Sequence, residues 1–507
     1  MKAPLCEPSH AEIFAIRSIF NEHEVIETID GAVKIFDPML YKKLAMEIAG
    51  LIQSGALSPG MRLPSVRQAT KSYGVSPATV AHAYSLLEFQ GLIETRPRAG
   101  HFVSGQARHA LPEPSLVRTT ELSLTPETDD LLFHVLSESN APGIVPLAAA
   151  FPGPAMFPSH QLDRSLLSVA RKIGSGAAFT ELSSGNEGLR RQIGRRYVAT
   201  GMAVPIDEVI VTGGALEALS ICLQAVTRPG DVVAIGTPAF YGVLHALERL
   251  RLQAVEIPIH PTKGLDVSLL ADALKRHPIR ACWFMTCFQN PTGVTMSDAA
   301  KEALVTLLAG HDVPLIEDDV YAELYFGATP ARPAKAFDRK GLVLHCSSFS
   351  KSLAPGYRVG WVAAGRYAPQ IVRAKLMTNI STSTPGQLAI ADYLKTRSYD
   401  RHLHQLRQKL AVQQDNMLQA IERFFPPGTQ VARPKGGYFL WLELPMQVDS
   451  VRLFELSLKQ GVSIAPGPVF SWCRGYRNCI RLNYGHPWTH EIERGVETVG
   501  LVTGSLC

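Results

Sequence analysis

The chain has 507 residues, 46% of them apolar and 19% charged, with a formal net charge of +5. That length exceeds one ordinary domain of ~150 residues, and the composition excludes a disordered chain. No apolar run approaches the ~18 residues of a spanning helix, and Met1-Lys-Ala-Pro-Leu-Cys-Glu-Pro8 lacks a secretory core, so a cytoplasmic protein without membrane contact is expected. The eight cysteines include no Cys-x-x-Cys pair, which suits buried or idle thiols and predicts no metal site.

Residues 1–36 mix polar and apolar types without a clear period, and no role is assigned to this N-terminal extension. A compact helical unit ending in a hairpin is expected over 37–104. Asp37-Pro38 caps a first helix, along which Leu40, Leu44, Ile48, Leu51 and Ile52 mark one apolar face. Gly55 and Ser58-Pro59-Gly60 end it. Ser65 and Gln68 have the spacing of a capping box for a second helix to about Tyr73. After Gly74, Ser76-Pro77 opens a third helix whose Val80, Ala83, Tyr84 and Leu87 face inward. Gly91 closes that helix, and Leu92–Glu94 and His101–Val103 make two strands around Arg98-Ala99-Gly100. The polar segment 105–140, with Pro112, Pro114 and Pro126, reads as a linker. Over 141–507 short apolar strands alternate with helices: Glu208–Thr212, Val232–Gly236, Ala281–Met285, Pro314–Glu317 and Val343–His345. That alternation predicts an α/β domain with a mostly parallel central sheet.

Charge singles out the helical unit. Between Met39 and Ser104 seven basic residues face three acids, a net of +4 out of +5 for the whole chain. A helix–turn–helix followed by a basic hairpin places its third helix in a major groove while the hairpin tracks phosphates. Gly60-Met-Arg-Leu-Pro-Ser-Val-Arg67, Gly74-Val-Ser-Pro-Ala-Thr-Val80 and Ala83-Tyr-Ser-Leu-Leu…Gly91-Leu-Ile resemble the winged helix of GntR-type bacterial regulators. The resemblance implies double-stranded DNA as a partner. Pro77 stands where that family usually has a basic residue, so the expected contacts reduce to Arg62, Arg67, Ser76, Thr79 and His82. Ser65 and Ser76 also read as simple caps, and the arginines as a solvated face.

A second constellation lies beyond residue 141. Thr212-Gly-Gly-Ala-Leu216 follows a strand and opens a helix, where bare backbone N–H groups hold phosphate. Gln289-Asn-Pro-Thr-Gly293 follows the next strand of the set. Glu317-Asp-Asp-Val-Tyr321 puts carboxylates at a strand's C-terminal edge, where α/β sheets bind ligands. In Ser347-Ser-Phe-Ser-Lys351-Ser-Leu-Ala-Pro-Gly-Tyr-Arg358, a lysine among serines precedes an arginine by seven residues, which suits a Schiff-base lysine beside a phosphate clamp. In this order the phrases resemble fold-type I pyridoxal-phosphate aminotransferases, and their union with a winged helix resembles the MocR subfamily of GntR regulators.

The resemblance implies an α/β multidomain chain: an N-terminal winged helix–turn–helix, then a fold-type I aminotransferase-like domain with a smaller C-terminal α+β part. It implies pyridoxal 5'-phosphate as cofactor, with Lys351 as its covalent partner. Asp318 would keep the pyridine nitrogen protonated, and Asn290 and Tyr321 would bond the phenolic oxygen. Phe240 would stack on the ring, its alternative being a plain core aromatic. Ser348, Arg358 and the amides of Gly214, Ala215 and Leu216 would clamp the phosphate. Arg481, with Asn290, would bind a substrate carboxylate through its guanidinium fork. Phe179-Thr180 stands where the family usually has a tyrosine reaching the partner subunit's phosphate, so that contact of the implied homodimer is put in doubt. Two functions follow: a regulator that senses the cofactor or an amino-acid-like amine, or a working aminotransferase carrying a DNA-binding appendage.

Overall fold

A computed structural model of the chain describes residues 25–29, 32–36, 38–53, 56–57, 60–89, 92–96, 100–104, 111–114, 122–123, 130–139, 141–172, 184–396 and 398–507. They belong to two compact units that divide between Ala110 and Leu111. The expectations at Asp37, Gly55, Ser58-Pro59, Gly91, Arg98-Ala99, Pro126 and Phe179-Thr180 lie outside the described residues.

In the first unit β1 (Val25–Ile29) pairs antiparallel with β2 (Ala32–Phe36). The sequence reading assigns this segment no element. Asp30-Gly31 between two apolar runs is the short hairpin signal it passes over. Helices α1 (Pro38–Gln53), α2 (Val66–Tyr73) and α3 (Pro77–Phe89) precede the antiparallel pair β3 (Ile93–Arg96) and β4 (Gly100–Val103). Leu44, Ile48 and Ile52 of α1 pack on Val80, Ala83, Tyr84 and Leu87 of α3 in one apolar cluster. Leu40 and Leu51, expected on the same face of α1, are exposed. The capping box at Ser65 and Gln68 is formed, and Gly74 ends α2 in the left-handed region at φ 65°. Tyr84 Oη donates to the Pro64 carbonyl at 2.8 Å, tying α3 to the turn before α2.

The second unit begins earlier than expected. Described parts of the segment read as a linker over 105–140 belong to this fold: β5 (Leu122–Ser123) pairs with Ala254 and Val255, and α4 (Asp130–Glu138) buries Leu132 and Val135. Val431 N–H also donates to the Pro112 carbonyl at 2.9 Å. Polar composition and prolines hid these elements because the partners that bury them lie far along the chain.

A short strand, β6 (Val145–Pro146), leads into the main sheet. That sheet contains β7 (Val209–Thr212), β8 (Val232–Thr237), β9 (Gln253–His260), β10 (Gly264–Leu265), β11 (Ile279–Phe284), β12 (Leu315–Asp318), β13 (Val343–Ser348) and β14 (Gly360–Ala363). Its order is β10-β9-β8-β11-β12-β13-β14-β7, with β5 on β9. Strands β9 through β13 run parallel along that order, and β14 is antiparallel to both β13 and β7. All five predicted strands are present. β9 and β14 were not anticipated, and in the first Pro258 and Glu256 interrupt the apolar run. A smaller antiparallel sheet follows, β15 (Gln430–Val431), β16 (Phe439–Glu443), β18 (Ala465–Pro466) and β19 (Cys479–Asn483), while β17 (Val462–Ser463) pairs with β6. Among the described residues no helix is long and apolar enough to cross a membrane.

Candidate functional site

The carboxyl ends of the parallel strands bring the predicted residues together. Asp318 ends β12 and is buried at 2% exposure, with no hydrogen-bond partner on Oδ1. Burial, then the neighbouring Asp319, pushes its carboxyl up to about 7, opposed by Lys351, His345 and an indole hydrogen bond from Trp283. Lys351 follows β13 by three residues. Its Nζ donates to the Ala150 carbonyl at 2.8 Å and lies 3.6 Å from the Phe151 ring centroid. Burial, then Arg481 and Arg358, lower this amine to about 7, against the pull of Asp318.

The phosphate clamp has the expected parts. Helix α5 (Ala215–Val226) starts after Gly214, and its first N–H groups have no partner within the helix. Gly214 has φ 105°, and a Cβ there would stand 2.5 Å from Arg358 Nη2. Arg358 donates to the Gly213 carbonyl and to Ser350 Oγ, each at 3.3 Å. Ser348 is buried, and its Oγ accepts the Ser350 N–H at 3.4 Å. The reading by sequence missed Ser350 as a member of this cluster. It also missed Glu217, whose carboxylate accepts from the Gly213 N–H and the Asn379 amide at the lip of the cup. Leu216 is exposed.

The opposite wall comes from the small sheet. Arg481 on β19 is buried at 1% exposure. Its Nη1 donates to Asn290 Oδ1 at 2.9 Å and its Nη2 to the Ala148 carbonyl at 2.6 Å, while Nε has no partner. The guanidinium lies over the Phe439 ring at 4.1 Å. Tyr321 is buried, edge-on to Tyr438 at 5.4 Å, and Tyr438 Oη donates to the same Ala150 carbonyl as Lys351. Asn483 donates to the carbonyls of Ala149 and Phe151, both at 2.8 Å. The segment 148–151, unremarked in the sequence, therefore feeds carbonyls to both functional cations. Phe240 is half-buried, 4.6 Å from the Tyr241 ring centroid, and pressed on the backbone of Gly242.

These residues fit a phosphorylated pyridine aldehyde. Asp318 Oδ1 is a buried acceptor without a partner, the Gly214 turn lies against the Arg358 guanidinium, and the Lys351 amine is lowered to about 7. Each feature costs stability unless a ligand answers it.

In the first unit Arg62, Arg67, Ser76 and His82 are exposed, whereas Thr79 is not. Thr79 is 6% exposed, its N–H donates to Ser76 Oγ at 3.1 Å and its hydroxyl pairs with the same oxygen at 2.8 Å. The expectation of a DNA contact from Thr79 is corrected: the i,i+3 spacing that makes Ser76 a cap turns Thr79 inward. Arg62 lies beside Gly100, joined through its bridge to Phe102, and the His82 ring is 5.9 Å from Tyr41.

Comparison with known proteins accords with both halves. Residues 177–499 match the family of class I and II aminotransferases, and residues 40–103 match the gntR family of bacterial regulatory proteins. The chain is 45% identical over 460 residues to the uncharacterized HTH-type transcriptional regulator YdcR of Escherichia coli (strain K12), covering 91% of this chain and 98% of that one. The multiple substrate aminotransferase of Thermococcus profundus superposes with a TM-score of 0.70 at 27% identity, covering 75% of this chain and 96% of that one. The α-aminoadipate aminotransferase LysN of Thermus thermophilus, solved with N-(5'-phosphopyridoxyl)-L-leucine, gives 0.67 at 29% identity, covering 72% and 93%. The chain belongs to the aminotransferase class I and II family, joined to a GntR-family unit in the combination of MocR-type regulators.

Proposed function

We propose that this protein is a DNA-binding transcriptional regulator whose second unit binds pyridoxal phosphate through Lys351 and responds to the cofactor or to an amino-acid-like amine. The observation that carries the cofactor reading is the unpartnered, buried Asp318 Oδ1 beside an amine lowered to about 7. Likeness to YdcR over nearly the whole of both chains supports the regulatory one.

When bound, the cofactor supplies an aldehyde that takes up amines and a ring that withdraws electrons from the adjacent bonds. Asp318 would hold the ring nitrogen, and Asn290 and Tyr321 the phenolic oxygen. The Gly214, Ala215 and Leu216 amides, with Ser348 and Arg358, would hold the phosphate, and Phe240 would cover a ring face. Lys351 Nζ would give up the Ala150 carbonyl to reach the aldehyde. Arg481 would exchange the Ala148 carbonyl for an effector carboxylate, keeping Asn290 as its second partner. A homodimer suits the surface: exposed Leu216 and Ile380 flank the Glu217–Asn379 hydrogen bond at the rim of the site. Sedimentation of the loaded protein at micromolar concentration should give a dimer, and monomer alone would refute that.

A second reading, a working aminotransferase, is favoured by one observation: Arg481 retains an unpaired buried Nε for a substrate carboxylate. Gel shifts on DNA upstream of the protein's own gene, run beside a transaminase assay, separate the two. A sequence-specific shift that responds to pyridoxal phosphate or an amine supports the regulator. Turnover without any specific shift supports the enzyme. Lys351→Ala should lose the visible absorbance gained with pyridoxal phosphate yet remain folded, and retention of that band would assign the covalent link elsewhere.

A further inference from the structure

Behind Asp318 lies a buried polar chain that no proposed contact with cofactor or effector uses. Asp319, the next residue, is 2% exposed, and its Oδ2 lies 2.9 Å from His345 Nε2. His345 comes from the neighbouring strand β13, where it stands in register with Glu317. Its Nδ1 is 2.8 Å from Tyr197 Oη, which in turn accepts the Trp361 indole N–H at 2.8 Å. An indole can only donate, so Tyr197 Oη accepts from Trp361, and its second lone pair takes the Nδ1–H of the protonated imidazole that Asp319 and Glu317 favour. The imidazole then presents Nε2–H to Asp319. Trp361, Tyr197 and His345 are each under a tenth exposed.

The chain ends on the charge that matters most to Asp318 after burial itself. The Asp319 charge disfavours ionisation of the adjacent, buried Asp318, and the cofactor's ring nitrogen calls for an ionised Asp318. The charged and titratable groups facing His345 are Asp319 and Glu317, which favour its protonated form, and Lys335, which opposes it. Those facing Asp318 are Asp319 on one side and Lys351 and His345 on the other. Resting on the cofactor reading above, we propose that His345, acting through Asp319, is the positioning residue that keeps Asp318 ionised for the pyridine nitrogen, with Tyr197 and Trp361 fixing the imidazole. His345 offsets the Asp319 charge at the one place where that charge would draw a proton onto Asp318.

The test is the affinity of the full chain for pyridoxal phosphate as a function of pH, for wild type, His345→Gln, Asp319→Asn and the double variant. If binding needs ionised Asp318, affinity falls as pH drops through the Asp318 midpoint. His345→Gln should raise that midpoint by about one unit, a roughly tenfold weaker affinity at pH values below both midpoints. Asp319→Asn removes the offending charge and should lower the midpoint. In the Asp319→Asn background, His345→Gln should then change affinity by less than about twofold, because its effect runs through Asp319. Tyr197→Phe keeps the ring volume and should shift the midpoint in the same direction as His345→Gln, by less, which covers a failure of the histidine variant to fold. Superimposable pH profiles across the set overturn the inference while leaving the cofactor reading intact, as does an equal effect of His345→Gln with and without Asp319. A wild type that takes up no pyridoxal phosphate at any pH removes both.

Discussion

Lys351 owes its chemistry to three positions that only folding brings close. Burial and the cations Arg481 and Arg358 favour the neutral amine, and Asp318 favours the charged one. A lysine lowered to about 7 is unprotonated above that pH and protonated below it, whereas an ordinary lysine near 10.4 stays protonated throughout the neutral range. The rate at which apoprotein captures pyridoxal phosphate should therefore rise about tenfold per pH unit up to about 7 and then level. A rate still climbing at pH 9 would assign Lys351 an ordinary amine. Gly214 is constrained in the same site by its φ of 105° and by the approach of Arg358. Gly214→Ala strains the backbone by ~1–3 kcal/mol and displaces the guanidinium, so cofactor affinity should drop about tenfold or more. Arg481→Ala should stay loaded with cofactor yet lose any effect of an amino acid on the gel shift. If the cofactor itself is the signal, that substitution leaves the response unchanged.

At the scale of elements, the winged helix separates residues that present from residues that hold. Arg67 is exposed in the first turn of α2, so Arg67→Ala should reduce the salt slope of DNA binding by about 0.9 while weakening all sequences alike. An unchanged slope would make it a solvated charge. Thr79 holds: buried and paired with Ser76, it completes the start of α3. Thr79→Val should therefore lower thermal stability, by ~1 kcal/mol for the lost hydrogen bond, without altering the preference among operator sequences. A changed operator preference would return Thr79 to the interface. The wing is held by pairing inside the hairpin, where Arg96 bonds Glu94 and lies over Phe102.

For the whole molecule the boundary at Ala110 has a direct consequence. A chain beginning at Leu111 keeps α4 and should still bind pyridoxal phosphate while losing DNA. A chain beginning at residue 141 loses α4, whose Leu132 and Val135 are 3% and 2% exposed in the core. Each such side chain contributes ~1.5–3 kcal/mol, so the shorter fragment should unfold at markedly lower denaturant, by roughly 3–6 kcal/mol. Equal stability of the two fragments would restore the linker assignment to 105–140.

Local signals carried much of this protein. The capping box at Ser65, the left-handed Gly74, the five apolar strands and the glycine turn at 213–214 each depend on neighbours within a few residues, so periodicity and turn chemistry reveal them. The strands' carboxyl ends then gather Asn290, Asp318, Lys351 and Arg358 in one region because a parallel sheet aligns those ends. Contacts between distant segments were not legible. The pairing of Leu122–Ser123 with β9, the burial of α4 and the carbonyls of 148–151 on Lys351 and Arg481 join residues more than a hundred positions apart. Sequence placed Thr79 on the helix expected to meet DNA, but the direction of its side chain was set by how α3 packs. It likewise marked Asp318 and Asp319 as adjacent carboxylates. Only the fold put His345 from the next strand against Asp319 Oδ2 and left Oδ1 of both carboxylates buried without a hydrogen-bond partner, because burial, rather than spacing, decides which buried polar atom is answered from within the chain.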